Sequence, residues 1–399
     1  MAFLNLLPKS EAADRLRRIQ AWMQQGSVDA VFALQNADLF YFSGTVQVGL
    51  LCLPISGEPV FLIQKSLTRG RLESPLERLV SLTGLKKAPD ILSGEGLGAL
   101  KKIGLEMDVL PASYYLRFQS LFPKAEFVDA SDAIRKIRMV KSEYEVGEIR
   151  RAALMLERAF AEVPGWMGPG TTELELQSRL EGFLRQQGHQ GITRMRGLNY
   201  EIAYGTVSSG PSASYPTCFP GPVGFVGLYP GIPNGGGMRK LAEGDPVMAD
   251  IVGGYGGYIA DKTRTYVLGE LHRDMRDAHE FILEMMGELR SMLRPGVSCS
   301  AIYRYALDRI GDSPYAPNFM GIGDSQVRFV GHGVGLELND WPVLAPGFDL
   351  PLEAGMTIAV EPKIFFPERG GVGIEDTYLI TQDGSEILTP SEKNIIHVD

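Results

Sequence analysis

Five residues in the C-terminal part of the chain have side chains of the kinds that bind metal ions. They are Asp250, Asp261, His332, Glu361 and Glu375, separated by 11, 71, 29 and 14 residues. Each of the four acids lies in an apolar or glycine-rich segment with the composition of a β-strand. Because a desolvated carboxylate is very unfavourable without a partner, these acids require compensating cations.

The acids are expected to lie on two β-hairpins. Asp250 and Asp261 flank the glycine-rich turn 253–257, and Glu361 and Glu375 flank a second turn at 367–371. Side chains that face each other in a hairpin are about 5 Å apart, where like charges repel. Four such acids favour a pair of divalent ions, which two-metal hydrolytic sites hold about 3.5–4 Å apart.

His332 and the nearby basic residues leave two interpretations of these acids. Gly331 and Gly333 flank His332, so its backbone can approach other strands closely and its imidazole can act as a fifth ligand. Alternatively, the acids form salt bridges with basic residues of the same segments, which are Lys262, Arg264, Lys363 and Arg369. Salt bridges would explain one hairpin, but they are a poor explanation of two hairpins and a histidine.

The pattern of elements predicts two domains. Residues 1–135 alternate short apolar strands with amphipathic helices, which predicts an α/β domain, although 36–44 is expected to be a turn that becomes extended. A single long helix over 136–161 is expected to open an α+β domain formed by 136–399. Within it, 208–244 contains nine Gly and six Pro, which predicts an irregular loop that is either functional or a surface insertion.

Composition restricts the classes of function. The 399-residue chain has a net charge of −9, which argues against a nucleic-acid partner. Its three cysteines are far apart and form no CxxC motif, so we expect no disulfides and a reducing compartment. Residues 1–14 lack the apolar core of a signal sequence, and no apolar run reaches the ~18 residues of a membrane span. We therefore expect a cytoplasmic protein without a membrane partner.

These motifs resemble the M24 metallopeptidase family, in the branch that contains Xaa-Pro dipeptidase, aminopeptidase P and creatinase. The similar segments are 138–145, 258–265 (YIADKTRT), 331–337 (GHGVGLE), Glu361-Pro362 and 373–377 (GIEDT). The resemblance covers nearly the whole chain. It implies a creatinase-like α/β domain over 1–135 and an α+β domain with the pita-bread fold over 136–399.

The resemblance also implies an activity. The chain would be a metal-dependent hydrolase of the Xaa-Pro dipeptidase or aminopeptidase type, acting on a small peptide or amide. Its cofactors would be two divalent ions (Mn, Co, Zn or Fe) bridged by a hydroxide nucleophile, with manganese or iron favoured by the oxygen-rich ligands. Glu361 would be both a ligand and the catalytic proton acceptor. The family further implies a homodimer.

The residues around the ligands depart from the family pattern. Family members commonly have histidines seven residues after and four residues before the ligand histidine, where this chain has Asn339 and Arg328. The family's arginine two residues before the last glutamate is Gly373 here, and the Gly- and Pro-rich segment contains no histidine. Tyr215, Arg264, Arg328 and Asn339 are candidates for the missing substrate-binding groups.

Three functions are therefore considered. The first is the Xaa-Pro peptidase. The second is an enzyme of the same fold with lyase or creatinase-like chemistry on a small zwitterion. The absence of the family's histidines and arginine favours it, because loss of one electrostatic donor typically lowers a rate about 10²–10³-fold. The third is a metal-binding scaffold without catalysis, which the presence of all five ligands disfavours.

Overall fold

The computed structural model describes residues 5–398 and divides into two compact units, Met1–Arg138 and Met139–Asp399. Residues 1–4, part of the segment expected to lack a signal sequence, and residue 399 lie outside the described residues. In the described part of the chain, every helix is too short or too polar to cross a membrane, and Cys52, Cys218 and Cys299 are free thiols.

The N-terminal unit is built on a mixed six-stranded sheet. Its strands are β1 (Ala30–Ala33), β2 (Gly49–Pro54), β3 (Val60–Ile63), β4 (Arg78–Ser81), β5 (Lys102–Leu105) and β6 (Glu126–Asp129). Its helices are α1 (Lys9–Gly26), α2 (Asn36–Ser43), α3 (Leu67–Glu73), α4 (Ala88–Gly94), α5 (Ala112–Leu121) and α6 (Ser131–Met139). The strand order is β4-β3-β2-β1-β5-β6, and only β2 runs antiparallel to its neighbours. The fully buried β1 and β3 confirm the expected α/β class.

Helix α2 replaces the extended segment expected over 36–44. The side chain of Gln35 accepts hydrogen bonds from the backbone N–H groups of Ala37 and Asp38, which would otherwise lack partners in the first turn. Gly44 ends the helix in the left-handed region at φ 71°. The prediction was wrong because most faces of this short helix are buried. Its run of apolar and aromatic residues therefore lacks the helical periodicity that would distinguish it from a buried strand.

The C-terminal unit contains a curled nine-stranded sheet flanked by helices. The helices are α7 (Glu143–Glu162), α8 (Glu173–Gln186), α9 (Arg273–Met292) and α10 (Cys299–Gly311). The strands are β7 (Gly205–Ser209), β8 (Pro246–Tyr255), β9 (Tyr258–Leu268), β10 (Gly331–Gly333), β11 (Asp340–Val343), β12 (Thr357–Val360), β13 (Lys363–Phe366), β14 (Gly370–Gly373), β15 (Glu375–Ile380), β16 (Ser385–Ile387) and β17 (Ile396–Val398). The order of the main path is β11-β10-β12-β15-β9-β8-β7, and β13 and β14 form a separate two-stranded sheet.

Two helices, α6 and α7, replace the single long helix expected over 136–161. Ser142 caps α7 by accepting a hydrogen bond from the Glu145 N–H, and the Glu145 carboxylate accepts one from the Ser142 N–H. Between the helices, the Lys141 N–H donates to the Gly355 carbonyl at 2.9 Å, so the chain is held extended there. The break lies a few residues after the division between the two units at Arg138 and Met139.

Candidate metal centre

The first pair of acids lies on the hairpin formed by β8 and β9. Its two-residue turn is Gly256-Gly257, and both glycines have positive φ (59° and 92°), as a tight hairpin of this hand requires. The register pairs Asp250 with Thr263 and Asp261 with Val252. The two aspartates are therefore diagonal neighbours on one face rather than directly opposed, which reduces their repulsion.

The second pair of acids lies at a gap between two ladders instead of on one continuous hairpin. β12 pairs with β15 up to Val360 and Asp376, and β13 pairs with β14 from Lys363 and Gly373. The register is the same on both sides of the gap, so Glu361 lies across from Glu375. Pro362 lacks the N–H that a continuous ladder would need at this point.

Neighbouring strands bring the two pairs and the histidine together. β15 pairs with β9 so that Glu375 lies opposite Thr263, whose hydroxyl donates to Glu375 Oε2 at 2.8 Å. β10 pairs with β12 and places His332 opposite Ala359. A Cβ at Gly331 would lie 2.4 Å from the Ala359 carbonyl oxygen, so only glycine allows this close approach.

All five sequence-predicted ligands lie in one place, and they form two groups of three. Asp261, His332 and Glu375 form the first group, and Asp250, Glu361 and Glu375 form the second; in each, one donor atom per residue lies within 4.8 Å of the others. Nδ1 of His332 is 3.1 Å from the Gly333 carbonyl, which fixes the ring proton on Nδ1. Nε2 is thereby left facing the acids.

The electrostatics of the cluster indicate an excess of negative charge. Burial and then Asp250 raise the pKa of Asp261 to about 8, and burial and then Asp261 raise the pKa of Glu375. Burial acts to lower the pKa of His332, but Glu361 and Asp261 raise it to about 9. Oε1 of Glu375 is buried and accepts no hydrogen bond from the described residues. A divalent ion would satisfy this oxygen and offset the repulsion, so the residues fit the expected cofactor.

One of the four basic residues named as possible salt-bridge partners reaches the cluster. Nζ of Lys363 lies 2.8 Å from Asp250 Oδ2 and 2.8 Å from Glu361 Oε2. The other three bind elsewhere: Lys262 to Glu157, Arg264 to Asp376 and Arg369 to Asp274. Both sequence interpretations therefore hold in part, since the acids form a ligand cluster and two of them also accept hydrogen bonds from a lysine.

The cluster opens into an apolar cavity of about 180 Å³. Asp250, Asp261, His332 and Glu361 line one side. The other walls are mainly apolar and include Met195, Ile202, Phe219, Val223, Phe225 and Leu338. Phe219 to Phe225 belong to the Gly- and Pro-rich segment, which therefore forms a wall of the cavity rather than a surface insertion.

Two buried polar residues of α8 hold that segment in place. Glu173 accepts hydrogen bonds from the N–H groups of Ser209 and Gly237, at 2.8 and 3.1 Å. Gln177 accepts from the Gly236 N–H at 2.5 Å. Glu173 and Gln177 were not identified from the sequence. Two polar residues four positions apart on a buried helix face could have indicated them, because such residues are rarely buried without hydrogen-bond partners.

The four candidate substrate-binding residues lie in different environments. Asn339 lines the cavity, and its amide makes two hydrogen bonds with the Arg196 backbone. Tyr215 and Arg328 do not line it: Tyr215 is 55% exposed, and the exposed Arg328 lies beside the Tyr303 hydroxyl. Arg264 is also outside the lining, and its guanidinium donates to Asp376 and to several backbone carbonyls. Of these four residues, Asn339 is the one that lines the cavity.

Comparison with known proteins assigns both units. The model of metallopeptidase family M24 matches residues 147–382, more than half of the chain, and the creatinase/prolidase N-terminal domain matches 15–140. The chain belongs to metallopeptidase family M24. It is thus a metal-dependent hydrolase with the pita-bread fold, as predicted. The family and the two ligand groups confirm the prediction of a site for two divalent ions.

Several relatives are similar over nearly their full length. The Xaa-Pro dipeptidase of Pyrococcus horikoshii is 26% identical over 96% of this chain and 99% of its own. The crystal structure of the Pyrococcus horikoshii prolidase has a TM-score of 0.81 at 25% identity, covering 96% of this chain and all of that one. The Xaa-Pro dipeptidase from Bacillus anthracis has a TM-score of 0.82 at 25% identity, covering 97% and 100%.

Proposed function

We propose that this protein hydrolyses the bond preceding proline in short peptides, using divalent metal ions held by Asp250, Asp261, His332, Glu361 and Glu375. The observation that carries the proposal is the position of this ligand cluster on one side of a small apolar cavity. The names of the full-length relatives supply the proline specificity. Our expectations of manganese as the metal, of a homodimer and of a cytoplasmic location stay predictions.

The chemistry divides between the metal ions and the side chains. Divalent ions held by the five ligands would polarise the scissile carbonyl and make water nucleophilic at neutral pH. Glu361 lines the cavity, so its carboxylate can accept the proton of the attacking water and pass it to the leaving nitrogen. Burial opposes ionisation of Glu361, but Lys363 and His332 lower its pKa below the ordinary value, which keeps it in the basic form.

The cavity walls select the substrate by shape and polarity. Phe219, Val223, Phe225 and Leu338 provide apolar contacts suited to a pyrrolidine ring and exclude water from the scissile bond. The described lining contains no lysine or arginine, so a free carboxylate on the proline would have no lysine or arginine partner there. This feature favours longer peptides or Xaa-Pro amides over free dipeptides.

The other two functions considered from the sequence are less well supported. A small zwitterion would also bring a carboxylate into a cavity whose described walls lack a cationic lysine or arginine. A scaffold without catalysis would not require the ligands to face a cavity of substrate size. The relatives matched over nearly their full length are named as Xaa-Pro dipeptidases, which favours hydrolysis over both.

A panel of substrates tests the proposal. The purified chain, loaded separately with Mn²⁺, Co²⁺ and Zn²⁺, is incubated with Ala-Pro, Ala-Pro-amide and Ala-Pro-Ala, with Ala-Ala-Ala as the matched control. We expect cleavage before proline, faster for the amide and the tripeptide than for the dipeptide, and loss of activity with EDTA. No cleavage of any proline substrate by metal-loaded protein would refute the proposal.

A further inference from the structure

A lysine ammonium lies inside the second ligand group. Lys363 is completely buried, and its Nζ contacts all three members of the group: Asp250 and Glu361 at 2.8 Å and Glu375 at 3.6 Å. Among the described residues, these carboxylates are the only hydrogen-bond and ion-pair partners of the Lys363 ammonium. The oxygens that would bind one of the two divalent ions thus already share a fixed positive charge.

The position opposite Lys363 is adapted to this lysine. Lys363 and Gly373 are direct cross-strand partners in the β13–β14 ladder. A Cβ at position 373 would lie 2.4 Å from Lys363 Cγ and 2.9 Å from Lys363 Cβ. The absence of a side chain at Gly373 therefore gives the lysine its path to the acids. The same glycine occupies the place where the sequence lacks the family's arginine.

We propose that Lys363 is an internal counter-cation that competes with one of the two divalent ions. The Asp261, His332 and Glu375 group binds the first ion tightly. The Asp250, Glu361 and Glu375 group binds the second ion only against the charge of Lys363, so that ion is weak and exchangeable. This inference rests on the metal centre of the proposed function, but not on its proline specificity.

Two physical arguments support an asymmetric centre. A divalent ion bound to Asp250 and Glu361 would share their oxygens with the ammonium, and like charges at such short range repel strongly when buried. Lys363 cannot easily move to water, because its side chain is fully buried. In contrast, Oε1 of Glu375 accepts no hydrogen bond from residues 5–398 and lies 3.8 Å from Nε2 of His332, so the first group is open to a cation.

The test measures metal binding by itself, without an assay of turnover. The metal-free full-length chain is titrated with Mn²⁺ by calorimetry, and electron paramagnetic resonance distinguishes isolated from coupled Mn²⁺ pairs. Lys363→Met removes the ammonium, and Gly373→Ala places a methyl group in the lysine's path while leaving its charge intact. Lys262→Met is the matched control, since it removes another buried lysine of the same unit, one that is bound to Glu157.

We expect the unmodified chain to bind one Mn²⁺ tightly and a second with an affinity at least ~100-fold weaker. At one equivalent of Mn²⁺, the electron paramagnetic resonance spectrum should be that of isolated ions. Lys363→Met and Gly373→Ala should each tighten the second ion by at least about tenfold, and Lys262→Met should not. Two equivalents of similar affinity in the unmodified chain would overturn this inference alone. Failure to bind even one Mn²⁺ would overturn the proposed function together with it.

Discussion

Oγ1 of Thr263 lies 2.8 Å from Oε2 of Glu375, and this hydrogen bond joins the two halves of the metal centre. Thr263 is opposite Asp250 in one strand pair and opposite Glu375 in the next. A single residue of the central strand β9 therefore sets the spacing between the acids of the two ligand pairs. This register explains how carboxylates more than 100 residues apart in sequence reach one cluster.

The catalytic role of Glu361 can be tested with an isosteric change. Glu361→Gln keeps the shape of the side chain but removes the proton acceptor, so kcat for Ala-Pro-amide should fall about 10²–10⁴-fold. Tightly bound Mn²⁺, measured by elemental analysis, should remain close to one per chain. Glu368→Gln, at the exposed turn between β13 and β14, is the control and should keep full activity. An unchanged rate in Glu361→Gln would exclude Glu361 as the base.

The close approach of β10 to β12 can be tested at Gly331. In Gly331→Ala the new methyl group would meet the Ala359 carbonyl, and this collision should lower the free energy of unfolding by about 1–3 kcal/mol. Because His332 is the next residue, the affinity for Mn²⁺ should fall as well. Gly384→Ala is the control, since a Cβ there meets no atom within 4 Å. Equal urea midpoints for the two variants would contradict the packing described.

The pH dependence of stability should be controlled in part by His189. Burial lowers the pKa of His189 to about 4, and its neutral ring accepts from the Gly191 N–H and donates to the Val252 carbonyl. Between pH 6.5 and 4 the unfolded chain binds the proton and the folded chain does not, so stability decreases as the pH falls through this window. We expect this histidine to contribute roughly 1–2 kcal/mol of the decrease between pH 7 and 5.

The variant His189→Phe retains the stacking on Tyr204 but cannot titrate. Its unfolding free energy, measured by urea denaturation in EDTA, should be lower than that of the unmodified chain at pH 7 and should change less between pH 7 and 5. The matched variant His397→Phe, at an exposed histidine, should keep the original pH dependence. A decrease in His189→Phe as large as that of the unmodified chain would show that His189 does not contribute.

Arg264 is expected to stabilise the fold rather than bind substrate. Its side chain is 1% exposed and donates to Asp376 at 2.7 Å, so Arg264→Met leaves a buried carboxylate without this partner. The free energy of unfolding should fall by about 3–5 kcal/mol. Arg369→Met, which breaks the more exposed pair with Asp274, should cost less than about 1 kcal/mol. Similar losses in both variants would contradict this assignment.

The sequence by itself determined the class of both domains, the five candidate ligands and the metal-dependent chemistry. These conclusions were accessible because acids in apolar strands flanking glycine-rich turns are a local pattern with few physical explanations. Helix boundaries were less accessible. The Gln35 cap of α2 and the Ser142 capping box of α7 set where these helices begin. Such polar side chains can form several alternative hydrogen bonds with the backbone, and the sequence does not show which one forms.

Only the tertiary structure decided the register and the surroundings of the site. It placed Asp250 diagonal to Asp261, brought Phe219 to the cavity and kept Arg264 outside it. It also distinguished Lys363 from three other basic residues that were equally plausible partners in the sequence. The physical reason is that charge pairing depends on which strands are neighbours, and this order follows from the packing of the whole sheet rather than from any local pattern.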